Sequence, residues 1–181
     1  GDVKRVEIIR KAVGDEFILA CDANMAWTPK SAIEFATSVS DFNIAWLEEP
    51  VPIVVTTSAG YPLDLTFYQA VKGLTAVLPI VETGGTIVLA ARCAEGLGSP
   101  EFTQLLADTD SAAAFEERLQ DPDFFVVDQW QLQELCKVLR KVRVLLCSAG
   151  VDVDSPHLRG LVSTVASVEA GIAEAHRQHG A

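Results

Sequence analysis

Basic side chains are scarce in this sequence. The 181 residues include 14 Lys and Arg against 25 Asp and Glu, which gives a formal net charge of -11. Because recognition of phosphate backbones depends on clusters of Lys and Arg, and no basic run occurs, we expect no nucleic-acid partner. The sequence also lacks an apolar run of the roughly 18 to 20 residues that a transmembrane helix needs, and no signal-peptide pattern opens it. These absences predict a cytoplasmic protein without a membrane partner.

Cysteine and histidine are also sparse, and neither forms a recognisable metal-binding motif. The four cysteines lie far apart without a Cys-x-x-Cys pair, which favours buried, reduced thiols. All three histidines follow residue 156, and His176 and His179 are three residues apart. A zinc site would need more ligands than this pair. We therefore expect surface histidines and no zinc site.

The remaining pattern is an alternation of apolar runs with amphipathic segments, in a chain that is 49% hydrophobic and 22% charged. Strands are predicted at 17–22, 44–48, 53–57, 86–91 and 142–147, and helices between them and over 158–179. Parallel neighbouring strands need crossover connections, which the helices supply. The prediction is an α/β fold of about five mainly parallel strands with helices on both faces, a Rossmann-like three-layer sandwich. The loops that follow the strands should then gather at one edge of the sheet.

The most informative segment is the predicted helix that starts at Phe67. At about 100° per residue, Tyr68, Gln69 and Lys72 fall on one side of this helix and its apolar residues on the other. A phenol, an amide and an ammonium can together bind a carboxylate and a neighbouring hydroxyl. The alternative is an ordinary solvated helix face.

Several further motifs surround this helix. They are Pro52-Ile53-Val54-Val55-Thr56-Thr57-Ser58-Ala59-Gly60-Tyr61-Pro62, Gly84-Gly85-Thr86, Glu95-Gly96-Leu97-Gly98-Ser99 and Asp128-Gln129-Trp130. Together they resemble the C-terminal domain of the nickel-pincer lactate racemase family. The resemblance implies that Tyr68, Gln69, Lys72 and Trp130 bind a small 2-hydroxy acid. It also implies a nickel-pincer cofactor that is held by a separate N-terminal catalytic domain, so we expect this chain to bind no cofactor by itself.

The first part of the sequence has a different signature: Phe17-Ile18-Leu19-Ala20-Cys21-Asp22-Ala23-Asn24, a helix, and Trp46-Leu47-Glu48-Glu49-Pro50. This resembles a β-α-β fragment of the enolase superfamily, of the mandelate racemase type. The resemblance implies that Asp22 and Glu48 derive from magnesium ligands. Because the family's third carboxylate and its acid/base residues have no counterpart here, we expect these two residues to be relics of a metal site.

The two resemblances divide the chain at residues 1–51 and 52–181, with almost no linker between Pro50 and Pro52. We expect both parts to pack as a single domain around one sheet. The corresponding functional prediction is the substrate-facing domain of a 2-hydroxy-acid racemase, inactive by itself because the catalytic set is incomplete. The alternative is an engineered or recombinant chimera without natural activity. The sequence does not determine the oligomeric state.

Two local interpretations also stay open at this stage. The turn Gly96-Leu97-Gly98-Ser99 can cradle an anion with its backbone N–H groups, or its glycines can serve loop geometry alone. Either Asp64 or Thr66 can cap the helix that starts at Phe67.

Overall fold

The computed structural model describes residues 2–22, 27–48 and 51–180, and the side chains at 22, 29 and 45–48 lie outside this description. The chain divides into two compact units, Gly1–Pro50 and Val51–Ala181. Each unit has its own sheet and its own hydrophobic core. The expectation of one continuous sheet is therefore wrong for the described strands, and the packing of both parts as one domain stays a prediction.

The first unit is a short α-β-α-β arrangement. Its elements are α1 (Asp2–Val13), β1 (Leu19–Asp22), α2 (Pro29–Ser38) and β2 (Ile44–Glu48). Strands β1 and β2 are parallel neighbours. Helix α2 begins with a capping box, because the Thr28 hydroxyl accepts a hydrogen bond from the Ser31 N–H and the Ser31 hydroxyl accepts one from the Thr28 N–H.

The core of the first unit is small and is completed by a buried guanidinium. Val6, Phe35 and Val39 form its apolar centre. Arg10 is only 5% exposed and donates hydrogen bonds to the backbone carbonyls of Gly14, Phe17, Phe42 and Asn43 at 2.7–2.8 Å. These bonds satisfy a buried cation with carbonyl acceptors, and they tie α1 to the loops before β1 and β2.

The apolar residues of α2 do not all face the core. Ile33 is 65% exposed and Ala36 is exposed as well. Ala32, Phe35 and Val39 are buried. Buried residues at 32, 35 and 39 follow helical spacing, and Ile33 lies about 100° away from Ala32 around the axis.

The second unit is a parallel sheet covered by helices. Its elements are β3 (Val51–Thr57), α3 (Phe67–Val77), β4 (Val81–Ala90), α4 (Pro100–Ala107), α5 (Ala112–Arg118), α6 (Gln129–Leu139), β5 (Arg143–Cys147), β6 (Ser163–Val165) and α7 (Val168–His179). The strand order is β3-β4-β5-β6, and every neighbouring pair is parallel. The predicted α/β architecture is thus confirmed.

Alternate residues of β4 show that both faces of this sheet are covered. Ile87 and Leu89 belong to the main core, which also contains the apolar residues of α3 and α6. Val88 points to the opposite face, where a Cβ placed on Gly171 of α7 would lie 2.8 Å from its Cγ1. Helix α7 therefore closes one face of the sheet, and α3 and α6 close the other.

The C-terminal part of the chain differs most from the sequence prediction. Instead of one helix over 158–179, the short strand β6 comes first and α7 starts only at Val168, with Ser167 as its N-cap. Gly160 has a φ of 85°, which breaks any continuous helix at that point. At the other end of α7, His179 Nε2 lies 2.9 Å from the hydroxyl of the fully buried Thr86, so this histidine is not a free surface residue.

Gly73 allows α3 to approach β3 closely. A Cβ at this position would lie 2.6 Å from the Thr57 carbonyl oxygen, a backbone atom that cannot move without shifting the strand. Hence the glycine in the middle of α3 is required by packing, although glycine is a poor helix former.

We predict that Gly73→Ala destabilises the protein by about 1–3 kcal/mol, because overpacking against the strand outweighs the better helix propensity of alanine. The matched control is Ala76→Gly on the exposed side of the same helix, which should cost roughly 0.5–1 kcal/mol through propensity alone. Urea unfolding measures both changes. If Gly73→Ala matched or exceeded the wild-type stability, the close approach of α3 to β3 would be refuted.

Candidate functional site

Helix α3 presents three polar side chains away from the sheet. Its N-cap is Thr66, whose hydroxyl accepts a hydrogen bond from the Gln69 N–H, and its apolar residues Phe67, Ala70, Val71 and Leu74 are fully buried. This burial fixes the rotation of the helix about its axis. Tyr68 and Gln69 are left half-buried and Lys72 exposed, as helical spacing predicts.

The Lys72 ammonium is positioned by its neighbour on the helix. Its Nζ donates a hydrogen bond to Gln69 Oε1 at 2.7 Å, across an i, i+3 spacing. An ammonium has three N–H donors, so two remain available for an external acceptor. The Gln69 amide keeps its own N–H donors beside them. The pair can therefore bind a carboxylate from two adjacent points.

Tyr68 belongs to an aromatic cluster that links α3 to α4 and α6. Its ring meets Phe102 edge-on at 5.2 Å between centroids and Trp130 edge-on at 5.7 Å. Trp130 is 48% exposed, so the cluster opens to solvent on the side of the indole. The structure thus brings Trp130 next to Tyr68, in agreement with the family resemblance that assigned both residues to one binding site. Their role in binding remains a prediction.

In the sequence analysis, Asp128 was quoted as part of the Asp128-Gln129-Trp130 motif but was given no role. Burial, followed by the charge of Asp128, raises the pKa of the Tyr68 phenol. Asp128 Oδ2 accepts a hydrogen bond from the Ser99 hydroxyl at 2.7 Å. No local signal identifies Asp128, since its position depends on the meeting of three helices.

The turn at Gly96-Leu97-Gly98-Ser99 has a structural role. The carbonyl oxygens of Gly96 and Leu97 accept hydrogen bonds from the N–H groups of Phe67 and Tyr68, and the Ser99 hydroxyl caps α4. Carbonyls rather than N–H groups therefore face the start of α3. Gly98 has a φ of 140°, and a Cβ there would lie 2.9 Å from the Tyr68 Cβ. These contacts favour the loop-geometry interpretation over an anion cradle.

A cleft of about 480 Å³ lies at the carboxyl edge of β3, β4 and β5, where open parallel sheets bind ligands. Asp64 and Arg92 line it together with Cys147 and Ser148. Asp64 does not cap α3; its side chain is only 7% exposed, and Oδ2 accepts a weak hydrogen bond from the Arg92 N–H at 3.4 Å. Its Oδ1 has no partner in the described part of the chain. The sequence predicted that the loops after the strands gather at this edge of the sheet, but it did not predict that the Asp64 carboxylate is buried there.

The two residues predicted to derive from magnesium ligands lie at paired backbone positions of neighbouring strands. Asp22 and Glu48 are register partners on β1 and β2. Their side chains lie outside the described part, so their status as relics stays a prediction. Within residues 2–22, 27–48 and 51–180, no group of three or more His, Cys, Asp or Glu side chains is arranged to hold a metal ion.

The structure also bears on the membrane prediction and on the cysteines. None of the described helices combines the length and apolarity that crossing a bilayer requires.

All four cysteines are free thiols, as expected, and Cys93 and Cys136 are buried. Cys21 and Cys147 are partly accessible, so the expectation of uniformly buried thiols holds only for the other two.

Comparison with known proteins assigns the two parts of the chain. Residues 47–181 match the family model of the lactate racemase C-terminal domain, and residues 1–63 match a model described as enolase C-terminal domain-like. The first match covers most of the sequence. The chain therefore belongs to the lactate racemase C-terminal domain family, and it carries in addition a segment similar to the enolase superfamily.

Individual relatives agree with this division. The lactate racemase of Thermoanaerobacterium thermosaccharolyticum is 32% identical over 115 residues, which are 62% of this chain and 26% of that protein. The lactate racemase of Lactiplantibacillus plantarum is 38% identical over 104 residues, 56% of this chain and 24% of that protein. The L-talarate/galactarate dehydratase of Salmonella typhimurium is 42% identical over 50 residues, 28% of this chain and 13% of that protein.

A solved structure supports the fold assignment. The lactate racemase apoprotein from T. thermosaccharolyticum matches with a TM-score of 0.64 and 27% sequence identity, over 83% of this chain and 36% of that one. The chain thus spans about a quarter of the length of the lactate racemases that it matches in sequence.

The thiols provide a test of the described burial. Burial raises the pKa of all four thiols, and that of Cys136 to about 11 with a further contribution from the charge of Glu116. We predict that Cys21 and Cys147 react with an aromatic disulfide reagent in the native protein and that Cys93 and Cys136 react only after unfolding, because the reagent reaches only the partly accessible sulfurs.

The measurement is the number of thiols labelled with and without denaturant. Cys147→Ser should remove one fast-reacting thiol, and Cys136→Ser should leave the fast count unchanged. Rapid native labelling of Cys93 or Cys136 would contradict the packing of the main core.

Proposed function

We propose that residues 52–181 form the substrate-facing domain of a racemase for small 2-hydroxy acids, with Tyr68, Gln69, Lys72 and Trp130 as the residues that bind the substrate. The observation that carries this proposal is the pairing of Lys72 with Gln69 at 2.7 Å on an open helix face next to the Tyr68–Trp130 cluster. Membership of the lactate racemase C-terminal domain family supports it.

The chemistry of these side chains suits a 2-hydroxy acid. The Lys72 ammonium can bind one carboxylate oxygen, and the Gln69 amide N–H can bind the other. The Tyr68 phenol lies one position along the helix, within reach of a hydroxyl on the adjacent carbon. The exposed part of the Trp130 indole provides an apolar wall for the small side chain of the substrate.

The nickel-pincer cofactor implied by the family resemblance does not fit the described residues. They offer no cluster of three His, Cys, Asp or Glu side chains, and the exposed amine at Lys72 is already assigned to the substrate. The contribution of this chain is therefore binding and orientation. The racemisation chemistry itself belongs, in this proposal, to groups outside these residues.

A chimera without natural activity is the alternative. It is favoured by the adjacent matches to two unrelated families, which overlap only between residues 47 and 63. The two proposals differ in one respect: a fortuitous fusion has no reason to retain specific binding of a 2-hydroxy acid at α3.

We predict that the chain binds lactate and that Lys72→Ala weakens this binding by about 10- to 100-fold, which corresponds to the loss of one charge-assisted hydrogen bond. The matched control is Lys137→Ala, since Lys137 is also exposed on a helix and also bonds a residue three positions earlier, Glu134. NMR titration of the labelled protein with lactate gives both affinities. Equal effects of the two substitutions would reject the site.

We further predict that these 181 residues alone do not racemise lactate, with or without added nickel-pincer cofactor. The reaction requires an acceptor for the group that leaves C2, and neither an ammonium nor an amide is a base or a hydride acceptor. Chiral analysis of lactate after prolonged incubation with purified protein is the measurement. Turnover well above that of a heat-denatured control would show that the chain carries a complete catalytic set.

A further inference from the structure

The cleft at the carboxyl edge of the sheet is lined by a buried carboxylate that is almost without partners. Asp64 is 7% exposed, its Oδ2 accepts a single long hydrogen bond from the Arg92 N–H at 3.4 Å, and its Oδ1 has no partner in the described part of the chain. An ionised carboxylate can accept about four hydrogen bonds. Burying a charge with so little compensation costs free energy, so we expect an external group to supply the missing partner.

The loops around the cleft are held together by hydrogen bonds that do not involve this carboxylate. The Arg92 carbonyl accepts hydrogen bonds from the Gly150 N–H at 2.9 Å and from the Ser148 hydroxyl at 3.0 Å, and the Cys93 N–H donates to the Asp64 carbonyl at 2.8 Å. A Cβ at Gly150 would lie 1.8 Å from the Cys93 carbonyl oxygen, so the two loops are in close contact. The cleft therefore has its shape before any ligand binds.

The other polar side chains of the cleft differ in what they can offer a ligand. The Ser148 hydroxyl already donates to the Arg92 carbonyl and accepts from the Gly150 N–H at 3.2 Å. The Arg92 side chain is exposed at the cleft, and its guanidinium forms no ion pair with any carboxylate of the described residues. The cleft thus combines a buried acceptor, Asp64, with a cationic donor at its exposed side.

Small apolar residues form much of the remaining wall. Ala90, Ala91 and Ala149 contribute methyl groups, and the cleft encloses about 480 Å³. Such a wall suits a short aliphatic group and offers no polar side-chain contact. A metal ion fits less well, because the described residues contain no group of three or more His, Cys, Asp or Glu side chains that could hold one.

We infer that this cleft binds an α-amino acid with a small side chain, with the ammonium group of the ligand at Asp64 and its carboxylate at Arg92. The ammonium supplies three N–H donors and the positive charge that the buried carboxylate lacks, and a guanidinium matches a carboxylate in geometry and charge. The inference goes beyond the proposed function and does not depend on it, since Tyr68, Gln69 and Lys72 do not line the cleft.

L-Alanine is the probe, because L-lactate differs from it only by a hydroxyl in place of the ammonium group. We expect L-alanine, titrated into the isotope-labelled protein at neutral pH, to shift the amide signals of Ala91, Arg92 and Ser148 saturably. L-Lactate should bind at these residues at least about 10-fold more weakly, because it brings no cation to Asp64. A lack of lactate-induced shifts in α3 would count against the proposed function alone.

Substitutions of the two charged side chains test their roles. Asp64→Asn keeps the size of the side chain but removes its charge, so it should weaken L-alanine binding by about 10- to 100-fold, and Arg92→Gln by about 10-fold. The matched controls are Asp123→Asn and Arg159→Gln, which remove the same charges from exposed side chains that do not line the cleft. Both controls should leave the affinity for L-alanine unchanged.

A third variant keeps the test decisive if circular dichroism shows that Asp64→Asn is unfolded. Ala149→Leu fills the cleft from an exposed loop position and leaves the carboxylate in place, so it should also weaken L-alanine binding. Absence of shifts in the wild type at about 50 mM L-alanine, enough to saturate a site with a millimolar Kd, overturns the inference. Equal affinities of Asp64→Asn and Asp123→Asn, or of Ala149→Leu and the wild type, overturn it as well.

Discussion

The candidate site depends on the packing of α3 against the sheet of the second unit. Four apolar side chains of α3 are fully buried, and Gly73 brings the helix backbone against the carbonyl of Thr57. With both the depth and the rotation of the helix fixed, Tyr68, Gln69 and Lys72 have only one direction in which to point. The packing of the core therefore determines the direction in which the polar face of α3 points.

This arrangement resolves an apparent electrostatic conflict. A protein with a net charge of -11 repels small carboxylates at long range, but such repulsion between exposed charges is screened within about 8–10 Å at physiological salt. In the proposed function, a single ammonium with two free N–H donors, held by Gln69 on an open face, provides the local attraction for the carboxylate. The Asp128 carboxylate accepts a hydrogen bond from the Ser99 hydroxyl at 2.7 Å.

The sequence predicted what depends on local periodicity. The strand at 44–48 was predicted with its observed bounds, and the start of α3 at Phe67 was predicted from residue spacing. Strand β6 was missed because a strand of three residues is too short to show an alternation of apolar and polar residues. The residues around it are rich in Ala and Val and were assigned to one helix. The prediction of a single sheet was wrong because the pairing of strands depends on residues far apart in the sequence, and apolar runs do not specify which strands pair. The burial of Asp64 and the contact of Asp128 with Ser99 were not predicted for the same reason, since both depend on tertiary packing.

The central claim is that the Lys72 face is open and binds a carboxylate. Amine acylation followed by mass spectrometry measures this directly on the unmodified protein, with Lys137 as the internal reference. The account predicts that Lys72 is acylated readily in the native state and that lactate slows its labelling selectively. Labelling of Lys72 that is absent in the native protein, or that lactate slows no more than it slows Lys137, would contradict it.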